Sequence, residues 1–199
     1  MTQPPPSYSP PPAGGYSVPP QSYPRPALRP VPTAPSGQPL ADFSQRLLAY
    51  LLDSLIVAAI LLVPMIIAMV FFVMALFDSI RTTPTGAGPD VGPIILIYLG
   101  FFAVIIPLQL LVQYLYQVVY QVRKGQTVGK RVMKIKIVNA VDGSPMDTPA
   151  ASKRFLVQVG CGLLGPLAYL DGLWQLWDQP YRQCLHDKWP QTVVVKVST

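Results

Sequence analysis

An uncharged run of 24 residues, Ser54 to Phe77, restricts this chain to very few folds. As a helix rising about 1.5 Å per residue the run is about 36 Å long, which exceeds a hydrocarbon core of about 30 Å. Half of the residues are hydrophobic (51%), only 12% are charged, and the mean hydropathy is +0.38. The sequence therefore predicts an all-α integral membrane protein.

The first 40 residues differ in composition from the rest of the chain. They hold 14 of the 24 prolines and no acidic residue. Such a segment buries too little apolar surface to offset the entropy of ordering it, and it lacks the apolar centre of a signal peptide. We therefore expect residues 1–40 to be a disordered, proline-rich cytoplasmic tail, followed by a membrane domain over residues 41–199.

Two segments are long enough to span the membrane. The first runs from Leu47 to Phe77, with a bend expected at Pro64, and the second covers Val91 to Val122; a short loop, 78–93, joins them. Positive charge precedes the first span and follows the second, which places the N-terminus in the cytoplasm. A basic block after the second span is expected to contact anionic lipid rather than nucleic acid: Arg123, Lys124, Lys130 and Arg131, continued by Lys134 and Lys136.

A third apolar stretch, Phe155 to Leu170, is 16 residues long and therefore short for a span at about 24 Å. It contains Gly165-Pro166, and basic residues flank both of its ends. This favours a re-entrant or interfacial hairpin with a cytoplasmic C-terminus, and a tilted third span is the alternative. Alternating or β-branched residues at 133–138 and 192–197 predict a small two-stranded cytoplasmic ribbon if both segments lie on one side.

Asp53 directly precedes the uncharged run of the first span. If the helix enters the hydrocarbon at Leu47, Asp53 lies about 9 Å deep, where a carboxylate must face protein, pair with a cation or be protonated. Arg46 is two turns away, so Arg131 and Arg182 are the candidate partners. In the alternative, Asp53 is hydrated and Arg46 extends to the headgroups.

Four glutamines recur at intervals of four residues along the second span, which keeps them on one helix face: Gln109, Gln113, Gln117 and Gln121. Amides in hydrocarbon need partners. Gln109 and Gln113 are expected at the depth of Asp53, where a carboxylate among amides could form a cation or proton site. Hydrogen bonding between helices is the alternative function of this stripe.

Two other motifs carry little weight. Gly125-Gln-Thr-Val-Gly129-Lys130-Arg131 is one residue short of a phosphate loop and lacks the hydroxyl residue that would bind magnesium. His186 is the single histidine, and Cys184 and Asp187 beside it complete neither a zinc set nor a hydrolase. We therefore expect no enzymatic activity, no cofactor and no metal site.

Three ordered blocks resemble the RDD family of bacterial membrane proteins: Arg46-Leu-Leu-Ala-Tyr-Leu-Leu-Asp53, then Gly125 to Arg131, then Leu185-His186-Asp187 followed by Thr192-Val-Val-Val. The resemblance implies that Arg46, Asp53 and Asp187 are the signature residues. It also implies a multi-pass protein of the bacterial cytoplasmic membrane. An accessory or interaction subunit of a larger membrane complex is one expected function, and an oligomeric monovalent cation/proton transporter using Asp53 is the alternative.

Overall fold

Two long helices dominate the computed structural model, which describes residues 32–82 and 91–197. Helix α1 is Phe43–Arg81 and helix α2 is Val91–Lys124. In the described residues these are the two helices long and apolar enough to cross a membrane, and only 6% of each apolar window is buried. Both therefore expose hydrocarbon side chains along most of their length, as the sequence predicts.

Helix α1 begins at Asp42, whose backbone N–H donates to Gln45 Oε1 at 3.2 Å. Its helical conformation continues through Pro64, so this proline does not end the span. Further along, Phe72 packs against Tyr98 and Phe101 of α2, with ring centroids 5.0 and 4.8 Å apart. These aromatic contacts hold the two helices together away from their polar ends.

Helix α2 changes its winding near its C-terminal end. Residues Leu115–Tyr120 form a π-helical turn, and regular α-helix resumes to Lys124. The helix ends where Gly125 adopts a left-handed conformation (φ 74°), which a glycine adopts at little cost. A short helix, α3 (Val128–Val132), follows directly.

The predicted ribbon is confirmed. Strands β1 (Ile135–Asn139) and β2 (Thr192–Lys196) pair antiparallel, from Ile135 opposite Lys196 to Asn139 opposite Thr192. One buried cluster joins this ribbon to Ala49 of α1 and Val118 of α2. The starts of α1 and β1 and the ends of α2 and β2 therefore lie at one end of the helix pair.

The segment that precedes α1 is ordered from residue 32 onward. Leu40 bridges to Val195, and Ala34 and Leu40 are buried with Val138, Val193 and Val195. The expectation of a disordered tail through residue 40 is thus wrong for residues 32–40, because these residues cover one face of the ribbon. Residues 1–31 of the predicted tail lie outside the described part of the chain.

The third apolar stretch forms two helices. Helix α4 is Thr148–Leu163 and helix α5 is Pro166–Leu173, separated at Gly165 (φ 61°). A 3₁₀ turn (Trp174–Leu176) and a short helix α6 (Leu185–Lys188) lead back to β2. Neither α4 nor α5 is among the candidate spans found in residues 32–82 and 91–197. The break at Gly165-Pro166 and the pairing of β2 with β1 agree with the hairpin interpretation, and the alternative third span is not confirmed.

Replacing Leu40 with Ala tests whether the segment at 32–41 supports the ribbon. Leu40 is 2% exposed, and truncating a buried leucine costs about 2–5 kcal/mol. We expect thermal unfolding of the detergent-solubilised protein about 5 °C or more below wild type, at about 2–4 °C per kcal/mol. Val141→Ala is the matched control, since Val141 is 72% exposed. Equal melting temperatures for the two variants would contradict the packing described for Leu40.

Candidate functional site

The carboxylate of Asp53 lies at the centre of a hydrogen-bonded cluster. Its Oδ1 accepts hydrogen bonds from the Tyr116 hydroxyl at 2.7 Å and the Gly129 backbone N–H at 2.8 Å. Its Oδ2 accepts from the Thr127 hydroxyl at 2.6 Å and lies 3.5 Å from Lys130 Nζ. Asp53 therefore faces protein, and it ties α1 to α2 and to α3.

The short connection between α2 and α3 is shaped to meet this carboxylate. Thr127 caps α3 by accepting a hydrogen bond from the Lys130 N–H, and its side chain is buried. Gly129 approaches α1 so closely that a Cβ there would collide with the Ala49 carbonyl oxygen and the Asp53 carboxylate. The glycine-containing motif that resembles a phosphate loop thus has a packing function here.

The π-helical turn in α2 brings a tyrosine to the same cluster. The Tyr116 hydroxyl donates to Asp53 and accepts from the Val128 N–H at 3.2 Å. The Tyr116 ring stacks on Tyr120, with centroids 5.6 Å apart and planes 8° from parallel. Because a π turn shifts the helical register, it aims side chains that a regular helix would point elsewhere.

The glutamines of the stripe lie in different environments along α2. Gln109 is exposed and Gln113 is half-buried, and among the described residues neither is a hydrogen-bond partner of Asp53. Gln121 is buried, and its Oε1 lies 3.3 Å from Lys130 Nζ. The predicted combination of Asp53 with Gln109 and Gln113 is therefore not formed, and the C-terminal end of the stripe meets a cation instead.

Lys130 supplies the positive charge beside Asp53, where the sequence suggested Arg131 or Arg182. Its ammonium also lies 3.2 Å from Thr127 Oγ1. Burial lowers the pKa of Lys130 to about 8, although the charge of Asp53 acts to raise it. Lys130 thus belongs to the interior, whereas Arg123, Lys124 and Arg131 of the predicted lipid-contacting block are exposed.

A second cluster surrounds Asp187, which is completely buried. Its carboxylate lies 3.8 Å from Arg46 Nη1 and directly contacts Arg154 Nη1. The Thr192 hydroxyl donates to Oδ1 at 3.1 Å, and the Cys184 N–H donates to Oδ2 at 3.2 Å. Two guanidinium groups and two neutral donors therefore compensate one buried negative charge.

Arg46 joins α1 to the C-terminal part of the chain. Its Nη1 donates to the Arg182 carbonyl at 2.7 Å, and its Nη2 donates to the Val194 carbonyl at 3.3 Å. Arg46 is buried, so its guanidinium does not extend to the headgroups as the alternative prediction had it. Of the three signature residues, Arg46 and Asp187 meet in one cluster, and Asp53 belongs to the other.

Asp171 and His186 extend the second cluster. Asp171 accepts from the His186 backbone N–H at 2.8 Å, and its other oxygen lies 2.7 Å from His186 Nδ1. A carboxylate only accepts hydrogen bonds, so Nδ1 carries the proton. Burial, and then the charge of Arg154, lower the pKa of His186 to about 4, although Asp171 opposes this shift. The ring is therefore neutral at pH 7.

Cys184, His186 and Asp187 have the chemistry of metal ligands, and their ligand atoms lie within 4.8 Å of one another. Arg46 and Arg154 already approach Asp187, however, and place two positive charges where a metal ion would bind. Asp171 in addition occupies one ring nitrogen of His186. The cluster is consequently an ion-pair network, and we assign no metal to it.

Sequence reasoning missed four residues of the two clusters: Tyr116, Thr127, Arg154 and Asp171. Asp171 offered a usable signal, because a lone acid beside an apolar stretch needs a partner. Arg154 is one of the basic residues that flank this stretch, and from sequence its charge indicates topology and not a buried ion pair. On α2, the regular spacing of the glutamines indicates a polar helix face, but it does not indicate that Tyr116 contacts Asp53.

Comparison with known proteins supports the sequence resemblance. The family model described as the RDD family matches residues 40–191, about three quarters of the chain. The match includes Arg46, Asp53 and Asp187 and most of their partners, and Thr192 and Val194 lie just beyond it. The chain matches no curated protein and no solved structure.

Replacing Gly129 with Ala tests the close approach of α3 to α1. The added methyl group would overlap Ala49 and Asp53, so we expect a loss of about 1–3 kcal/mol, as for overpacking of a core. The measurement is thermal unfolding in detergent. Gly160→Ala is the control, because nothing lies within 4 Å of a Cβ at that position. A Gly129→Ala protein as stable as the Gly160→Ala protein would refute the contact.

His186 gives the stability a pH dependence with a defined sign. Its pKa of about 4 lies below the unfolded value of 6.5, so its contribution is complete above pH 6.5 and is lost as the pH falls toward 4. Each pH unit in that window costs about 1.4 kcal/mol. We expect the melting temperature of wild type to fall more steeply between pH 6.5 and 4.5 than that of His186→Asn. Parallel curves would show that His186 does not titrate in this way.

Proposed function

The chain belongs to the RDD family, and on that basis we propose that it is a non-enzymatic, multi-pass protein of the bacterial cytoplasmic membrane that acts as an accessory or interaction subunit. The proposal has three parts: insertion through α1 and α2, a cytoplasmic location for the ribbon end, and a bracing function for the two charged clusters.

Membrane insertion is supported by the exposed apolar surface of α1 and α2. Each contains a long, strongly apolar window of which very little is buried. Large side chains such as Phe71 (69% exposed) and Leu96 (70% exposed) have no protein neighbour to cover them fully. In water such a surface would aggregate, whereas lipid chains solvate it.

The distribution of charge supports a cytoplasmic location for the ribbon end. Arg123, Lys124 and Arg131 are exposed at this end, beside the ribbon and the start of α1. Positive residues near the ends of spans favour the cytoplasmic side, where anionic lipid attracts them. The same reasoning puts α4, α5 and the C-terminal strand on the inner surface of the membrane.

The observation that favours an accessory function over transport is the saturation of Asp53. Its two oxygens receive three hydrogen bonds of 2.6–2.8 Å and the charge of Lys130. A transported cation would have to displace those donors, and three of the four neighbours of Asp53 come from the start of α3, which packs on α1. A carboxylate held in this way braces helices more readily than it exchanges ions.

Vesicle reconstitution of wild type and Asp53→Asn tests this assignment. We expect no cation-driven proton flux above protein-free vesicles from either protein. Asp53→Asn should melt lower, because Lys130 then loses its counter-charge in a buried site, at a cost of about 1–3 kcal/mol. Asp78→Asn, which changes an exposed acid of the same helix, is the control. Flux in wild type that disappears in Asp53→Asn would replace the accessory function by transport.

Co-purification tests the interaction part of the proposal. The full chain, extracted from its native membrane in mild detergent, should retain a second membrane protein in a fixed ratio. Recovery of the chain alone or only with copies of itself would argue against a larger complex.

A further inference from the structure

A polar pocket lies where α2, α3 and α4 meet. Its polar lining comes from all three helices: Gln117, Gln121, Lys130, Arg154 and Gln158. Met146 and Phe155 form part of the remaining wall. Lys130 and Arg154 also belong to the clusters of Asp53 and Asp187, whereas Gln117 and Gln158 take no part in the contacts described above for those two acids.

Helical spacing explains why these side chains converge. Ala151, Arg154, Phe155 and Gln158 follow one another at intervals of three, one and three residues, so they share one face of α4. Gln117 and Gln121 are four residues apart on α2. Gln117 precedes the end of α2 at Lys124 by seven residues, or about 10 Å, so the pocket lies near the basic end of this helix.

The chemistry of the lining favours an anion. Lys130 and Arg154 provide positive charge, and the amides of Gln117 and Gln158 provide neutral hydrogen-bond donors. The counter-charges are Asp53, 3.5 Å from Lys130, and Asp187, in contact with Arg154. Arg154 contacts Asp187 and also donates to the Thr192 hydroxyl, in both cases through Nη1. Within residues 32–82 and 91–197, the other donors of its planar guanidinium can therefore meet a second acceptor.

Burial disfavours the charged forms of both Lys130 and Arg154. It lowers the pKa of Lys130 to about 8 and that of Arg154 to about 10. A bound anion would favour the charged form of each side chain. A metal cation would disfavour those charged forms, so the lining suits an anion better than a cation.

We propose that this pocket binds the phosphate group of an anionic phospholipid at the inner surface of the membrane. A phosphodiester presents several acceptor oxygens to the guanidinium and amide donors. Met146 and Phe155, which form part of the same wall, provide apolar contacts for the hydrocarbon part of the lipid. The inference rests on the proposed membrane location, because only there does the pocket face headgroups.

Native mass spectrometry of the full chain in detergent measures this binding. The probes are phosphatidylglycerol, which is anionic, and phosphatidylcholine, which carries the same phosphodiester with a compensating cation. We expect preferential retention of phosphatidylglycerol, and a loss of affinity of about tenfold in Gln117→Leu/Gln158→Leu, since a tenfold change corresponds to about one charge-assisted hydrogen bond. Gln109→Leu is the matched control: an exposed glutamine of α2 outside the pocket.

A second variant separates the pocket from surface charge. Arg123→Gln/Lys124→Gln removes two exposed cations and keeps the pocket intact. We expect it to lose less phosphatidylglycerol affinity than the glutamine variant. Equal affinity of wild type and Gln117→Leu/Gln158→Leu, at unchanged melting temperature, would overturn the proposal.

Inorganic phosphate identifies the source of the ligand. Stabilisation of wild type by millimolar phosphate, lost in Gln117→Leu/Gln158→Leu and without selectivity among lipids, would overturn the lipid assignment in favour of free phosphate. No stabilisation by phosphate together with selective lipid retention supports the headgroup. Neither result bears on proton flux, so the pocket and the accessory function can fail independently.

Discussion

The charge of Asp187 is the constraint around which the ribbon end of the molecule is organised. A carboxylate with no exposed surface is costly to bury unless cations and donors surround it. Here the partners come from three distant parts of the chain: Arg46 from α1, Arg154 from α4 and Thr192 from β2. Because these partners are far apart in the sequence, the compensation of one charge fixes the relative positions of α1, the α4–α5 hairpin and the ribbon.

Asp53, about two helical turns after Arg46 on α1, also joins several elements. Hydrogen-bond donors from α2 and from the start of α3 converge on it, and Gly129 leaves room for their approach. In both clusters, an acidic side chain on one element is bound by hydrogen-bond donors and cations on other elements. In this chain the signature residues are therefore joints between elements, and the fold of the ribbon end depends on them before any ligand is considered.

Much of this architecture follows from sequence patterns that have one physical cause. Long uncharged runs give α1 and α2, alternation and β-branching give the ribbon, and Gly165-Pro166 divides α4 from α5. The partners of Asp53 could not be obtained in this way. A π-helical turn moves Tyr116 out of the regular helical register, and Lys130 is turned inward among basic neighbours that remain exposed. Residues 32–40 have the composition of a flexible tail, yet a few of their apolar side chains cover the ribbon, because a tertiary contact outweighs local propensity.

The pairing of β1 with β2 also determines the order in which the chain can be assembled. Ile135 pairs with Lys196 and Leu40 with Val195, so neither contact can form until residues 195 and 196 have been synthesised. Local helices form early, and pairings between remote residues form late. The ribbon thus closes last, after both hydrophobic helices have left the ribosome. A chain that ended before β2 would contain α1 and α2 without this closure, and the unpaired edge of β1 could then pair with other chains.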